Sequence, residues 1–174
     1  MTTKTAILFL AIFTINVWAV TINDTLKNVV IDAENGGLAS DGTAWNSSII
    51  KDKVYVMFYI DPDEKDTNEH FSKKLNEKNY DKTNYGEIAI VNLAATWKPN
   101  VVIESLLKSK QEEFPDTIYV KDKKSVLVKE WGLEDDASNI LIFSKDSKLL
   151  FYKSGKISQD EMQKAFSIIE ENLQ

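Results

Sequence analysis

The seven residues Val54 to Ile60, VYVMFYI, constrain this chain more than any other stretch. An unbroken run of apolar, β-branched and aromatic residues has no polar side to turn to water, so it is expected as a strand covered on both faces of a sheet. Asp61-Pro62 ends it, because proline has no N–H to give to a ladder. Asp66 followed by Glu69 has the spacing of a helix cap and its N3 acid, and Phe71 and Leu75 stand one helical turn apart on the inward side. A buried strand feeding a helix places the turn between them, Asp61 to Asp66, at the carboxyl end of a sheet. Open α/β proteins carry their sites there.

The start of the chain reads as an export signal. Lys4 precedes an apolar segment, Ala6 to Ile15, and Val17-Trp18-Ala19 offers the small residues a signal peptidase reads, so cleavage is expected after Ala19. Thr14 and Asn16 interrupt the segment short of the roughly 20 apolar residues a membrane span needs, which leaves an uncleaved anchor as the lesser alternative. Residues 20–174 then form one domain, large enough to fold without staples. The 174-residue chain has no cysteine, so an exported product can neither form disulfides nor use a thiolate. Its net charge of −6 falls to −7 without the leader, which carries one lysine and no acid, and this argues against nucleic acid or an anionic membrane as partner.

The remaining elements follow in order. Leu26 to Ala33 reads as a short strand, followed by the turn signals Asn35-Gly36-Gly37 and Asp41-Gly42 of a hairpin. Beyond the first helix, Glu87 to Ala94 is a second buried strand, and Pro99-Asn100 opens a helix to about Glu112, with Ile103, Leu106, Leu107 and Lys110 at helical spacing. Thr117 to Val120 is a third strand. Ser125 is expected to cap a short helix that carries Leu127 and Trp131 inward and ends at Gly132. Asn139 to Phe143 and Leu149 to Tyr152 flank the turn Lys145-Asp146-Ser147 as an antiparallel hairpin. Ser158-x-x-Glu161 is a capping box that starts a final helix with Met162, Phe166, Ile169 and Leu173 on one face. This order predicts a mixed α/β sheet with helices on both faces.

On this order, and above all on FPDTIYVKDKKSVLVKEWGLEDDASNILIFSKDSKLLFYKSGKISQDEM (Phe114 to Met162), the chain resembles the thioredoxin fold, in its exported branch with an N-terminal β-hairpin and an inserted β-α segment. Within that branch, TAWNSSIIKDKV (Thr43 to Val54), IVNLAAT (Ile90 to Thr96) and EWGLEDDASNILIF (Glu130 to Phe143) are similar to the YtfJ family of bacterial periplasmic proteins. The resemblance implies a thioredoxin-like fold and a periplasmic location, with no established activity. It also shows what this chain lacks. Where a working thioredoxin has Cys-x-x-Cys, this chain has Asp63-Glu64-Lys65-Asp66, and where such an enzyme has a cis-proline it has Ala137-Ser138-Asn139. Thiol-disulfide exchange and thiol peroxidase chemistry require a thiolate, so neither is expected here.

The remaining candidates are few. The single histidine, His70, reads as a partly exposed helix residue beside a carboxylate, and Ser47, Ser48 and Ser138 as caps and turns without a base. Asp61, Asp63, Glu64, Asp66 and Glu69 crowd into nine positions. As a helix N-terminus they answer the macrodipole, and as a cation site Asp61, Asp63 and Asp66 would be its ligands, although no glycine supplies the turn of a known calcium loop. Trp131 is expected in the core and Trp97 exposed, at the same sheet edge as the acidic turn. The leading expectation is a non-catalytic module that binds a periplasmic protein or peptide through the degenerate redox-site surface: Asp61, Asp63, Glu64, Asp66, Trp97 and Ser138. The alternative is a metal-dependent enzyme or sensor built on the acidic turn. No cofactor is expected in the first case.

Overall fold

The computed structural model describes residues 20–174. The expected signal peptide, residues 1–19, lies outside the described residues. The strands are β1 (Val30–Ile31), β2 (Gly36–Leu38), β3 (Trp45–Asn46), β4 (Val54–Ile60), β5 (Tyr85–Asn92), β6 (Thr117–Asp122), β7 (Ser138–Phe143) and β8 (Leu149–Ser154). The helices are α1 (Glu69–Lys78), α2 (Asn100–Glu113), α3 (Val126–Trp131) and α4 (Gln159–Leu173). β4 to β8 and their helices lie near where the apolar runs place them, with β5 shifted two residues earlier than the expected Glu87 to Ala94. The main sheet has the order β2-β6-β5-β4-β7-β8, with β4, β5 and β6 mutually parallel and the other neighbours antiparallel. β4 lies between β5 and β7 and is buried up to Tyr59, as an unbroken apolar strand must be.

Because side chains alternate along each strand, the sheet has two cores. On one face Val54, Val56 and Phe58 of β4 meet Phe71 and Leu75 of α1 and Met162, Ala165 and Ile169 of α4. On the other, Tyr55, Met57 and Tyr59 meet Leu127 and Trp131 of α3 together with Val29, Ile31, Trp45 and Ile50 of the N-terminal segment. α2 forms a smaller cluster, with Ile103 and Leu107 against Leu93, Val91 and Tyr119. α4 starts on the expected capping box, with both halves made, and α3 ends at Gly132 in the left-handed conformation, φ 68°.

Several expectations are corrected. The Leu26 to Ala33 strand shrinks to β1, which pairs with β3, and Gly36-Gly37 is no turn but the edge strand β2, antiparallel to β6. The N-terminal extension is thus a β1-β3 ribbon bracketing an added sheet edge. Glycine is required at 36, where φ is +134° and a Cβ would lie 1.8 Å from the Lys121 carbonyl oxygen, so the two backbones approach closer than any side chain allows. Asp66 does not cap α1; Asn68 holds the N-cap position, and the Asp66 carboxylate pairs in solvent with Lys65. Ser125 is in the left-handed region and does not cap α3, because the Asp122 carboxylate takes the Val126 and Leu127 N–H groups instead. On α2 Leu106 is exposed and Lys110 pairs with Glu113, so the inward pair is Ile103 and Leu107. On α4 Phe166 and Leu173 are half-buried at the margin of the core, whereas Met162, Ala165 and Ile169 form its centre.

Candidate functional site

Three loops meet at one end of the central strands: residues 61–68 after β4, 93–99 after β5, and 132–137 before β7. Pro62 opens a single 3-10 turn whose cap is Asp61, the carboxylate accepting the Asp63 N–H at 2.8 Å. The Asp61 N–H donates to the Ala137 carbonyl at 2.9 Å, tying the first loop to the third. Asp61 is only 5% exposed, and burial pushes its carboxyl above the usual range, with the nearby Asp63, Asp136 and Glu64 charges adding to the effect. Asp63 points the other way. Its carboxylate accepts from the Lys98 ammonium and, at 2.7 Å, from the Thr96 hydroxyl, and the Lys98 bond holds its pKa below the ordinary value. The first loop is thereby tied to the second. Trp97, between these two anchors, is 87% exposed.

Ser138 is deeply buried, at the first position of β7 opposite Ile60, where the resemblance places cis-proline; no peptide bond among the described residues is cis. Its hydroxyl accepts from Asn68 Nδ2 at 3.0 Å, and an amide cannot take its proton, so nothing activates Ser138 as a nucleophile. The same amide also donates to the Gly155 carbonyl at 3.0 Å, while Asn68 Oδ1 accepts the Ile157 N–H at 2.9 Å. His70 Nε2 lies 3.2 Å from the Ile157 carbonyl. Asn68 therefore joins the start of α1, the start of β7 and the loop before α4, which is why it does not cap its own helix.

Sequence reasoning missed the layer beneath the loops. Asn92, buried at the end of β5, donates to Asp135 at 2.6 Å and accepts from the Ala94 N–H and the Ser125 hydroxyl. Asn139, fully buried, donates to the Glu134 carbonyl at 2.9 Å and accepts from Tyr152 at 3.0 Å. The Asp122 carboxylate accepts from the Tyr59 hydroxyl at 3.2 Å besides capping α3, and burial together with that carboxylate pushes the Tyr59 hydroxyl far up, so it stays protonated. A signal existed in the sequence, since Asn92 and Asn139 interrupt apolar strands where an amide survives only with partners. The 132–137 loop is thus pinned from below with Glu134, Asp135 and Asp136 exposed.

Beside Trp97, α2 shows a second missed feature. Val101 is 73% exposed, Leu106 56% and Val102 49%, so apolar side chains occupy its outer as well as its inner face. The excess was present in Val101-Val102-Ile103 and Leu106-Leu107, which make two stripes where a surface helix needs one. The structure thus brings Asp63, Glu64 and Trp97 together at one surface, with Asp61 and Ser138 buried below it and Asp66 turned outward to Lys65. The carboxylates considered for a cation engage separate partners: the Asp63 N–H for Asp61, Lys98 and Thr96 for Asp63, and Lys65 for Asp66. Among the described residues no group of three or more His, Asp or Glu side chains is arranged to hold a metal.

A parallel β4-β5-β6 core extended antiparallel by β7 and β8, with α1 and α4 on one face and α3 on the other, is a thioredoxin-like fold, here without a thiol in the chain. The solved structure of the pneumococcal exposed lipoprotein thioredoxin Etrx1 from Streptococcus pneumoniae matches with a TM-score of 0.57 at 12% identity, over 82% of this chain and 99% of that one. The chain belongs to the family described as bacterial protein of unknown function (YtfJ_HI0045), whose model matches residues 17–172. An uncharacterized protein of Haemophilus influenzae is 24% identical over 168 residues, 91% of each chain. The uncharacterized protein YtfJ of Escherichia coli is 23% identical over 132 residues, 74% of this chain and 72% of that one.

Proposed function

We propose that this protein is an exported, non-catalytic thioredoxin-fold module that binds another periplasmic protein or peptide at the surface where a redox site would stand. One observation carries the reading. The polar groups at that surface are committed to holding loops in place, Asp61 to its turn, Asp63 to Lys98, and Asn68 to Ser138, while Trp97 stands almost wholly in solvent between two anchored residues. Exposed tryptophans are uncommon on surfaces that meet only water and are enriched among residues that dominate interfaces. The rigid frame lowers the entropy lost when such a residue docks.

Photocrosslinking in cells tests it. A photoreactive side chain in place of Val101 is expected to give a discrete adduct with another exported protein, and the same group in place of Lys164, on the exposed side of α4, is expected to give none. Equal adducts from both positions, or none from either, contradict the reading. The purified protein is also expected to reduce insulin disulfides and peroxide no faster than a boiled control, and turnover above that control with contamination excluded contradicts the non-catalytic half.

A further inference from the structure

We infer that the apolar ridge of Trp97, Val101, Val102 and Leu106, together with the acidic loops beside Trp97, is a docking surface for a cationic segment of a partner protein in which lysine or arginine neighbours a large apolar side chain. This rests on the binding reading above and names the chemistry of the partner.

The ridge supplies the apolar half. Trp97 stands three residues ahead of α2, Val101 and Val102 lie in its first turn, and Leu106 follows one helical turn beyond Val102, all about half-exposed or more. Ile103 and Leu107 already secure α2 to the sheet, so the outer row is not needed to hold the helix down. Four large apolar side chains exposed within ten residues are more than a surface that meets only water carries, and such concentrations mark interaction sites.

Charge selects the occupant. The loops at residues 61–66 and 134–136 carry seven acids against Lys65, and the tryptophan loop adds only Lys98, so this one end holds a net −5 of the chain's −6. Lys65 is engaged by Asp66 and Lys98 by Asp63, which leaves Glu64, Glu134, Asp135 and Asp136 in these loops without an ion pair to a cation among the described residues. Thr67 holds Glu64 and Asn92 holds Asp135, so these two charges are fixed in place before any partner arrives. A basic segment gains from that field and is steered toward it. A second copy of this chain meets the opposite situation, because a twofold contact through the ridge sets these acids against themselves. An anionic bilayer is repelled in the same way.

Selection from a random peptide library displayed on phage, with the described domain as bait, tests the inference. Enriched sequences are expected to place lysine or arginine within a few residues of tryptophan, phenylalanine or leucine. A synthetic peptide from the selection is expected to lose roughly tenfold in affinity when its basic residues become glutamine, and to lose a similar factor against Trp97→Ala or Leu106→Ser protein. Its affinity for the Glu64→Gln, Asp136→Asn double variant is expected to fall severalfold, with the loss shrinking as salt rises. Enriched peptides without basic residues, or binding indifferent both to the glutamine replacements in the peptide and to the Glu64→Gln, Asp136→Asn change, overturn the charge assignment while leaving the binding reading standing, whereas binding indifferent to Trp97→Ala and Leu106→Ser overturns both. No enrichment overturns both. A dimer in sedimentation equilibrium that dissociates in Trp97→Ala, or adsorption to phosphatidylglycerol vesicles, overturns the inference by naming a different occupant.

Discussion

Asn68 shows most clearly how a single side chain can be misread. Asp66 and Glu69 have the spacing of a capping box, yet Asn68 spends its amide on Ser138, Gly155 and Ile157, which lie far away in sequence and close in space. Local spacing cannot report a tertiary partner, and for the same reason Ser125 yields its capping role to Asp122. Asn68→Ala leaves a buried hydroxyl, a carbonyl and an N–H without their partner, so a loss of about 2–4 kcal/mol is expected in urea unfolding; an unchanged midpoint contradicts the clasp. The Ser158 box, in contrast, was legible because both its members are local. Its Glu161 is held down to about 2 by hydrogen bonds from Lys153 and then from the Ser158 N–H, well below the ordinary 4.5. A depressed carboxylate stabilises the fold fully above its unfolded value and loses that contribution as pH falls toward 2. Glu161→Gln is therefore expected to flatten the fall in thermal stability between those two values, and parallel curves contradict it. Glu87 has the opposite sign. Its burial on β5 raises its pKa, with Tyr85 and Lys82 opposing, so the folded chain keeps a proton above 4.5 that the unfolded chain has lost, and stability declines as pH rises from 4.5 through the raised folded value. Glu87→Gln is expected to raise the melting temperature at neutral pH, with the gain vanishing below 4.5.

At the scale of the element, legibility followed periodicity. β4, the β7-β8 hairpin and α4 announced themselves because their apolar patterns match one period and their partners lie nearby in the chain. β2 did not, since glycines at positive φ carry the signature of a turn and only the close approach of Lys121 makes them strand residues. α2 was half legible: its position was clear, but a helix apolar on two sides cannot reveal which side is buried. The two rows are expected to separate cleanly in unfolding measurements. Leu107→Ala should cost about 2–4 kcal/mol, and Leu106→Ala should stay within about 0.5 kcal/mol of the parent. Equal costs contradict the assignment of the outer row to a partner. On the opposite flank, Phe166 packs on Phe71 at 5.3 Å with Lys78 over its outer face, and its half-burial sets the cost of Phe166→Ala at about 2 kcal/mol, below that of a fully enclosed aromatic. Gly86 is tighter. A Cβ there would lie 2.4 Å from the Tyr55 ring, so Gly86→Ala is expected to cost about 1–3 kcal/mol.

For the whole molecule, a mixed sheet with helices on both faces was readable from the succession of strands and helices, whereas the site was readable only as a list of residues. That Trp97 would be exposed beside the acidic turn followed from its place at a strand end, but the union of three loops through Asp61, Asp63 and Asn92 depends on hydrogen bonds between residues 33 to 76 positions apart. Export is tested by intact mass: a mature product beginning at Val20 is expected, and retention of Met1 contradicts cleavage after Ala19. The central proposal is that a thioredoxin-like frame without thiols has kept its site surface for binding. The exported protein caught by the photoreactive group at position 101 supplies the reagent for the most direct measurement, its affinity for purified wild-type domain and for Trp97→Ala. The expected result is a loss of roughly tenfold or more in the variant with its urea midpoint unchanged. Equal affinity for the two proteins would show that the partner is held elsewhere and contradict the proposal.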